Sequence, residues 1–438
     1  LAGTTITQSA NSDGSLYAKT LILGKCSACL TAPLVTLDNS SNQIVNLTLN
    51  NVSGTVVTNK SLTLDASSIG GNTTIATNSN SQTITFAGNL TSATGNSLTL
   101  KAIGGLIINT NISVVVGGDL NIYTNNNSSN YGVALHNGTK LQSTAGGINM
   151  NIVSASHGLW LNDLSPQILA NGNITANIVT TANGIGFYSA VYNSGSGGSF
   201  TSSNGNISIQ SISSQVSLGW YEAYVRTPII ATNGSVLISA AGYYGGIYFD
   251  YSGSVTAKQN IDIIGYGGQS NWNGIVFAIA GPAITSSAGG ILRSTNGNIT
   301  LSGYSAHNTA ILGESSSNIV ALAGDITFQA ATLSTNTWNS TGLSDTQSNA
   351  NAAITSAVTN LTTAITAATT TNYTIAGFAE AKPNFAATGY YWGSIWTGGL
   401  YAVNNPDTVT TVAPTSGGKV TINLQTMVGS YGYAGIHF

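Results

Sequence analysis

A turn-plus-strand phrase recurs through the middle of the chain. Asn-Gly-Asn followed by apolar/polar alternation stands at Asn171-Gly172-Asn173-Ile174-Thr175, Asn204-Gly205-Asn206-Ile207-Ser208-Ile209 and Asn296-Gly297-Asn298-Ile299-Thr300-Leu301, with Asn233-Gly234-Ser235-Val236-Leu237-Ile238 a near copy. Looser variants are Gly146-Gly147-Ile148, Gly324-Asp325-Ile326 and Gly417-Gly418-Lys419-Val420. Each is a tight corner followed by a half-buried strand. A second phrase, Gly-(Ile/Leu/Val)-x-(Phe/Leu) with degenerate copies, interleaves with the first. It starts at positions 132, 158, 184, 217, 246, 274 and 309, so it recurs at steps of 26 to 35 residues. Self-similarity at a period of about 20–50 residues restricts a chain to a solenoid, a propeller or an array. Each unit holds three short strands, whereas a propeller blade needs four strands in about 40–45 residues. The pattern predicts an all-β fold, a parallel β-helix or β-solenoid, with one unit per coil.

Stacked coils about 4.8 Å apart turn equivalent inward positions into ladders. The phrases predict one ladder of Leu135, Leu161, Phe187, Trp220, Phe249, Phe277 and Leu312. They predict a second of Ile174, Ile207, Val236, Ile299 and Ile326. Four stretches follow. Residues 1–125 are solenoid with short or irregular coils, and 126–333 are regular three-strand coils. Residues 334–416 are a helical and aromatic insertion, and 417–438 return to solenoid strands. The helix is expected near 344–370, where Ser344-Asp345 can cap it and Ile354, Val358, Leu361 and Ile365 fall on one stripe.

Only 10 Lys+Arg and 13 Asp+Glu occur in 438 residues, 5% charged, against about 25% in ordinary soluble domains. A net charge of −3 with no basic cluster argues against nucleic-acid binding. A surface of Ser, Thr, Asn and Gly suits an extracellular or surface-displayed protein. Cys26 and Cys29 are candidates for a local disulfide, with a free thiol pair as the alternative. No second Cys-x-x-Cys or nearby His completes a zinc site.

The repeat style resembles that of the filamentous haemagglutinin-like exoproteins of Gram-negative bacteria. The residues that carry the likeness are the Asn296–Gly303 stretch and its copies, the opening Gly3-Thr4-Thr5-Ile6-Thr7-Gln8-Ser9, Leu21-Ile22-Leu23 and Val35-Thr36-Leu37-Asp38-Asn39. It covers most of 1–330 and the final stretch of the chain. The resemblance implies a right-handed β-helix and export across the outer membrane by a dedicated partner barrel. It also implies a role as an adhesin or surface filament at the surface of a Gram-negative bacterium. Residues 344–415 depart from the family pattern.

No catalytic residue, cofactor or metal is expected, and the chain is expected not to be an enzyme. The best carboxylate pair for an alternative, polysaccharide-binding or polysaccharide-cleaving β-helix is Glu222 with Asp250, one coil step apart and so able to stack on adjacent coils. The candidate interaction residues are aromatic: Tyr390, Tyr391, Trp392 and Trp396 in the irregular segment, and Trp160, Tyr221, Tyr248 and Trp272 in neighbouring coils. Tyr224, Tyr243, Tyr244 and Tyr251 extend that stripe, which can stack on sugar rings or on another subunit. The expected partners are further copies of the chain, stacked head to tail because strand-like ends template pairing, and glycans or receptors on host or neighbouring cells.

Overall fold

The computed structural model describes residues 5–8, 14–24, 31–79, 81–126, 131–161, 165–180, 186–189, 198–213, 221–242, 245–250, 253–267, 275–278, 292–305, 311–313, 319–332, 400–402, 420–426 and 436–437. Every strand pairing among them is parallel, and no helix is present among them. The strands form three sheets that run along one axis. The first contains Ile84–Phe86, Leu106–Ile108, Val133–Leu135, Leu159–Leu161 and Phe187–Ser189, then Tyr221–Val225, Gly245–Asp250, Ile275–Ala278 and Ile311–Gly313. The second runs from Leu90–Thr94 to Ile319–Ala321, and the third from Leu98–Lys101 to Ile326–Thr332. Between Ile84 and Thr332 they make nine complete three-strand rungs. Before these, the long strands Gln43–Thr58 and Ser67–Thr77 each bend from one sheet into another. After them, Leu400–Ala402, Val420–Thr426 and Ile436–His437 pair onto the last rung. The expected helix at 344–370 lies outside the described residues.

A single rung cannot bury its inward side chains, so stability comes from stacking. The ladder on the third sheet runs Leu98, Leu120, Ile148, Ile174, Ile207, Val236, Ile261, Ile299 and Ile326. All nine are buried. Each such side chain contributes roughly 1.5–3 kcal/mol by leaving water. This is the second expected ladder, extended at its N-terminal end by Leu98, Leu120 and Ile148 and with Ile261 filling its gap.

The first expected ladder needs correction. Leu135 and Leu161 are in register, as are Phe249 and Phe277. Phe187, however, pairs with Leu159 and Ala223, two positions away from the assigned one. Leu312 is off by one, opposite Val276, and Trp220 lies outside the described residues. The rungs are uneven: the one from Phe187 to Ala223 is half as long again as the one from Ala223 to Ile247, and Ile84 to Leu106 is shorter still. Counting between phrases therefore misplaces the register by a position or two.

The Asn-Gly-Asn phrase forms the corner between the second and third sheets. A buried Ser ends the second-sheet strand and closes the turn. Ser202 Oγ donates to Gly172 O of the preceding rung at 2.7 Å and accepts Gly205 N–H at 2.9 Å, and Ser294 repeats this with Gln259 O at 2.6 Å and Gly297 N–H at 3.0 Å. The second Asn then caps the next rung. Asn260 Oδ1 accepts the N–H of Asn298 at 2.9 Å, and Asn298 Oδ1 accepts that of Asp325 at 2.8 Å. The first Asn makes an outer ladder, with Asn204 Nδ2 on Asn171 Oδ1 and Asn233 Nδ2 on Asn204 Oδ1.

Candidate functional site

The glycine of the second phrase has a packing cause. Register pairs place Gly105, Gly132, Gly158 and Gly186 one above another at the entry to the first sheet. A Cβ on Gly132 would meet Ile152 and the Gly158 carbonyl, and one on Gly158 would meet Ile178 and the Gly186 carbonyl. No side chain fits at these two levels of the column. In Gly184-Ile185-Gly186-Phe187 the second glycine occupies it, which accounts for the offset of Phe187.

The next place in the column is taken by Glu222, with Gly246 following it. The Glu222 carboxyl lies over Gly186, in the space that a Cβ there would fill. Glu222 is only 2% exposed. The hydroxyl of buried Ser211 donates to its Oε1 at 2.7 Å, while Oε2 has no hydrogen-bond partner among the described residues. Burial pushes its pKa up to about 8, against weaker opposing effects of the Ser211 and Thr180 hydroxyls and the Gly186 backbone. At neutral pH the group is mostly the uncharged acid. The expected stacking of Glu222 on Asp250 does not occur: the short rung between Ala223 and Ile247 sets Glu222 opposite Gly246, while Asp250 pairs with Ala278.

A second cluster lies on the outer side of the first sheet. Trp160, Tyr188, Tyr224 and Tyr248 are in register on consecutive rungs. Their ring centroids are 4.0, 5.8 and 5.3 Å apart, and the first pair is stacked with 14° between planes. His157 adds a ring 4.3 Å from Trp160, and Tyr131 lies 5.1 Å from Trp160. Arg226 closes the cluster: Nη1 donates to Tyr188 Oη at 2.9 Å, and its guanidinium lies 5.4 and 5.2 Å from the Tyr188 and Tyr224 rings. Burial lowers the pKa of His157, so that ring is neutral at pH 7. The Trp160 and Tyr188 rings cover each other's faces, while Tyr188–Tyr224 meet edge to face at 61° and Tyr224–Tyr248 are tilted by 45°; each such pair contributes about 0.5–1.5 kcal/mol beyond area burial.

Two of the expected interaction residues, Trp160 and Tyr248, therefore share one ladder. Tyr221 is on the same sheet, with its backbone in register with Gly245. Trp272, Tyr390, Tyr391, Trp392, Trp396, Cys26 and Cys29 lie outside the described residues. Sequence reasoning missed Tyr131, His157, Tyr188 and Arg226. The available signal was the position of Tyr188, one coil step after Trp160 and one before Tyr224. Among the described residues, no group of three or more His, Cys, Asp or Glu side chains is placed to hold a metal ion.

No protein-family model matches the chain, and neither the curated proteins nor the solved structures contain a match. The β-solenoid is established by the fold itself, and the link to haemagglutinin-like proteins is a resemblance of repeat style alone.

Proposed function

We propose that the chain is an extracellular structural and adhesive β-solenoid of the filamentous haemagglutinin-like kind. In this reading it is exported through an outer-membrane partner and acts at the surface of a Gram-negative bacterium. It stacks end to end into a filament or forms part of a long adhesin. One observation supports this most directly. The large hydrophobic side chains exposed among the described residues are Tyr17 (68%), Ile22 (53%), Leu34 (51%) and Val45 (40%), all in the first rungs. Strand Tyr17–Gly24 pairs with Gln43–Thr58 and with no other strand among the described residues. Exposed apolar side chains on and beside a strand with one edge unpaired among the described residues favour the addition of a further strand. Polysaccharide cleavage, the alternative, has lost its best carboxylate pair to the register and burial of Glu222.

Negative-stain electron microscopy across a dilution series tests the proposal. Filaments of constant width that shorten on dilution are expected, and Ile22→Lys with Val45→Lys should abolish them. Separate rods of roughly 60–80 Å at every concentration would overturn the assembly.

A further inference from the structure

We propose that a polar trough on the outer face of the third sheet binds a linear, neutral glycan laid along the solenoid axis. This rests on the adhesive reading and names its site and ligand class. The trough has a volume of about 480 Å³ and crosses four rungs, about 14 Å from first to last. Its floor is the in-register row Asn121, Asn149, Thr175 and Ser208. Every member is a short side chain able to both donate and accept.

The trough is a preorganised surface. Along one edge, Asp119 and Asn173 are held by the Oδ1 atoms that cap the backbone N–H groups of Gly147 and Asn206 at 2.8 Å. At the other edge Asn177 is only 4% exposed. Its Nδ2 donates to Asn151 Oδ1 at 3.0 Å, which fixes the carboxamide of a residue that lines the trough. A rigid carboxamide beside a row of carboxamides and hydroxyls matches a chain of sugar hydroxyls, each of which also donates and accepts. The rung repeat sets groups that both donate and accept at regular intervals, which suits a polymer with a repeating unit. Charge narrows the class. Asp119 is the one ionisable residue in the lining, and no Lys or Arg joins it. Sulfated and uronic-acid glycans meet repulsion there without a counter-charge.

The test is binding of the full chain to immobilised hexasaccharides: β-1,4-glucan, mannan and β-1,4-linked N-acetylglucosamine as neutral probes, with oligogalacturonate and heparin fragments as acidic ones. At least one neutral hexasaccharide is expected to bind, and the acidic ones are not. Thr175→Trp, which fills the floor from an outward position, should weaken binding at least tenfold, and Thr175→Ser should not. Asn121→Ala provides a second reading of the floor, with an expected loss of threefold or more. The absence of any neutral ligand, binding of acidic glycans alone, or unchanged binding by Thr175→Trp and Asn121→Ala would overturn the proposal. Microscopy of the same samples separates the two readings. Filaments that bind no glycan refute the trough alone, and glycan-binding rods that never assemble refute the assembly alone.

Discussion

The side-chain Oδ1 of Asn173 accepts the backbone N–H of Asn206, one rung further along the axis, at 2.8 Å. Asn206 does the same for Ser235, also at 2.8 Å. The second Asn of the repeated phrase is thus a connector between rungs, joining corners where the sheet ladder is interrupted. Asp119 plays the same part for Gly147, so the function needs a short side chain with a carbonyl-type oxygen and no particular charge.

Removal of one connector leaves the Ser235 N–H to water, because that corner is exposed. Asn206→Ala should therefore cost about 0.5–1.5 kcal/mol, and Asn206→Asp should recover most of it. Urea denaturation followed by circular dichroism measures both. An alanine variant as stable as the parent would show that the connector has no energetic role.

Glu222 makes stability depend on pH. Its folded pKa of about 8 lies above the ordinary value of 4.5, so the folded state holds a proton that the unfolded state has released in that interval. Stability should be greatest below about pH 4.5, fall as the pH rises towards 8, and level off above. The total loss is up to roughly 5 kcal/mol. Glu222→Gln should flatten the profile and exceed the parent in stability at pH 9. Denaturation midpoints at pH 5, 7 and 9 check this, and parallel profiles for the two proteins would contradict it.

Gly186 and Glu222 should be energetically coupled. A Cβ on Gly186 meets the Ser211 hydroxyl and the Glu222 carboxyl, so Gly186→Ala forces both aside at a cost of about 1–3 kcal/mol. With Glu222→Ala already present the same change should cost less, by at least about 0.5 kcal/mol. Additive effects in the double-mutant cycle would mean that the carboxyl is not seated over Gly186.

The ring ladder should be visible by spectroscopy. Tyr188 is stacked on Trp160 at 4.0 Å, so Tyr188→Leu should alter the near-ultraviolet circular dichroism and lower stability by about 1 kcal/mol. It also removes the acceptor for Arg226. Tyr188→Phe keeps the ring and should preserve the spectrum while losing that hydrogen bond. An unchanged spectrum in Tyr188→Leu would contradict the stacking.

Much of the fold was legible in the residues because each corner announces itself locally. Asn-Gly-Asn before Ile-x-Ile states a turn and the strand that follows it, and the third-sheet row from Ile174 to Ile326 follows directly. This holds because the strands of that sheet, such as Ile174–Thr180 and Ile207–Ser213, begin at the same distance from their corner. What only the tertiary structure decided is register on the first sheet, where the long rung from Phe187 to Ala223 adjoins the short one from Ala223 to Ile247. Strand pairing and the glycine column choose among alignments that the sequence leaves equivalent. Gly184 and Gly186 are equally good as local signals, and only contact with Gly158 below and Glu222 above distinguishes them. The same shift separates Glu222 from Asp250, buries its carboxyl, and brings Trp160, Tyr188, Tyr224 and Tyr248 into one in-register ladder. The alternation of a strand can be read from its own residues, whereas the neighbours of a side chain depend on the length of chain between rungs and on the packing that absorbs it.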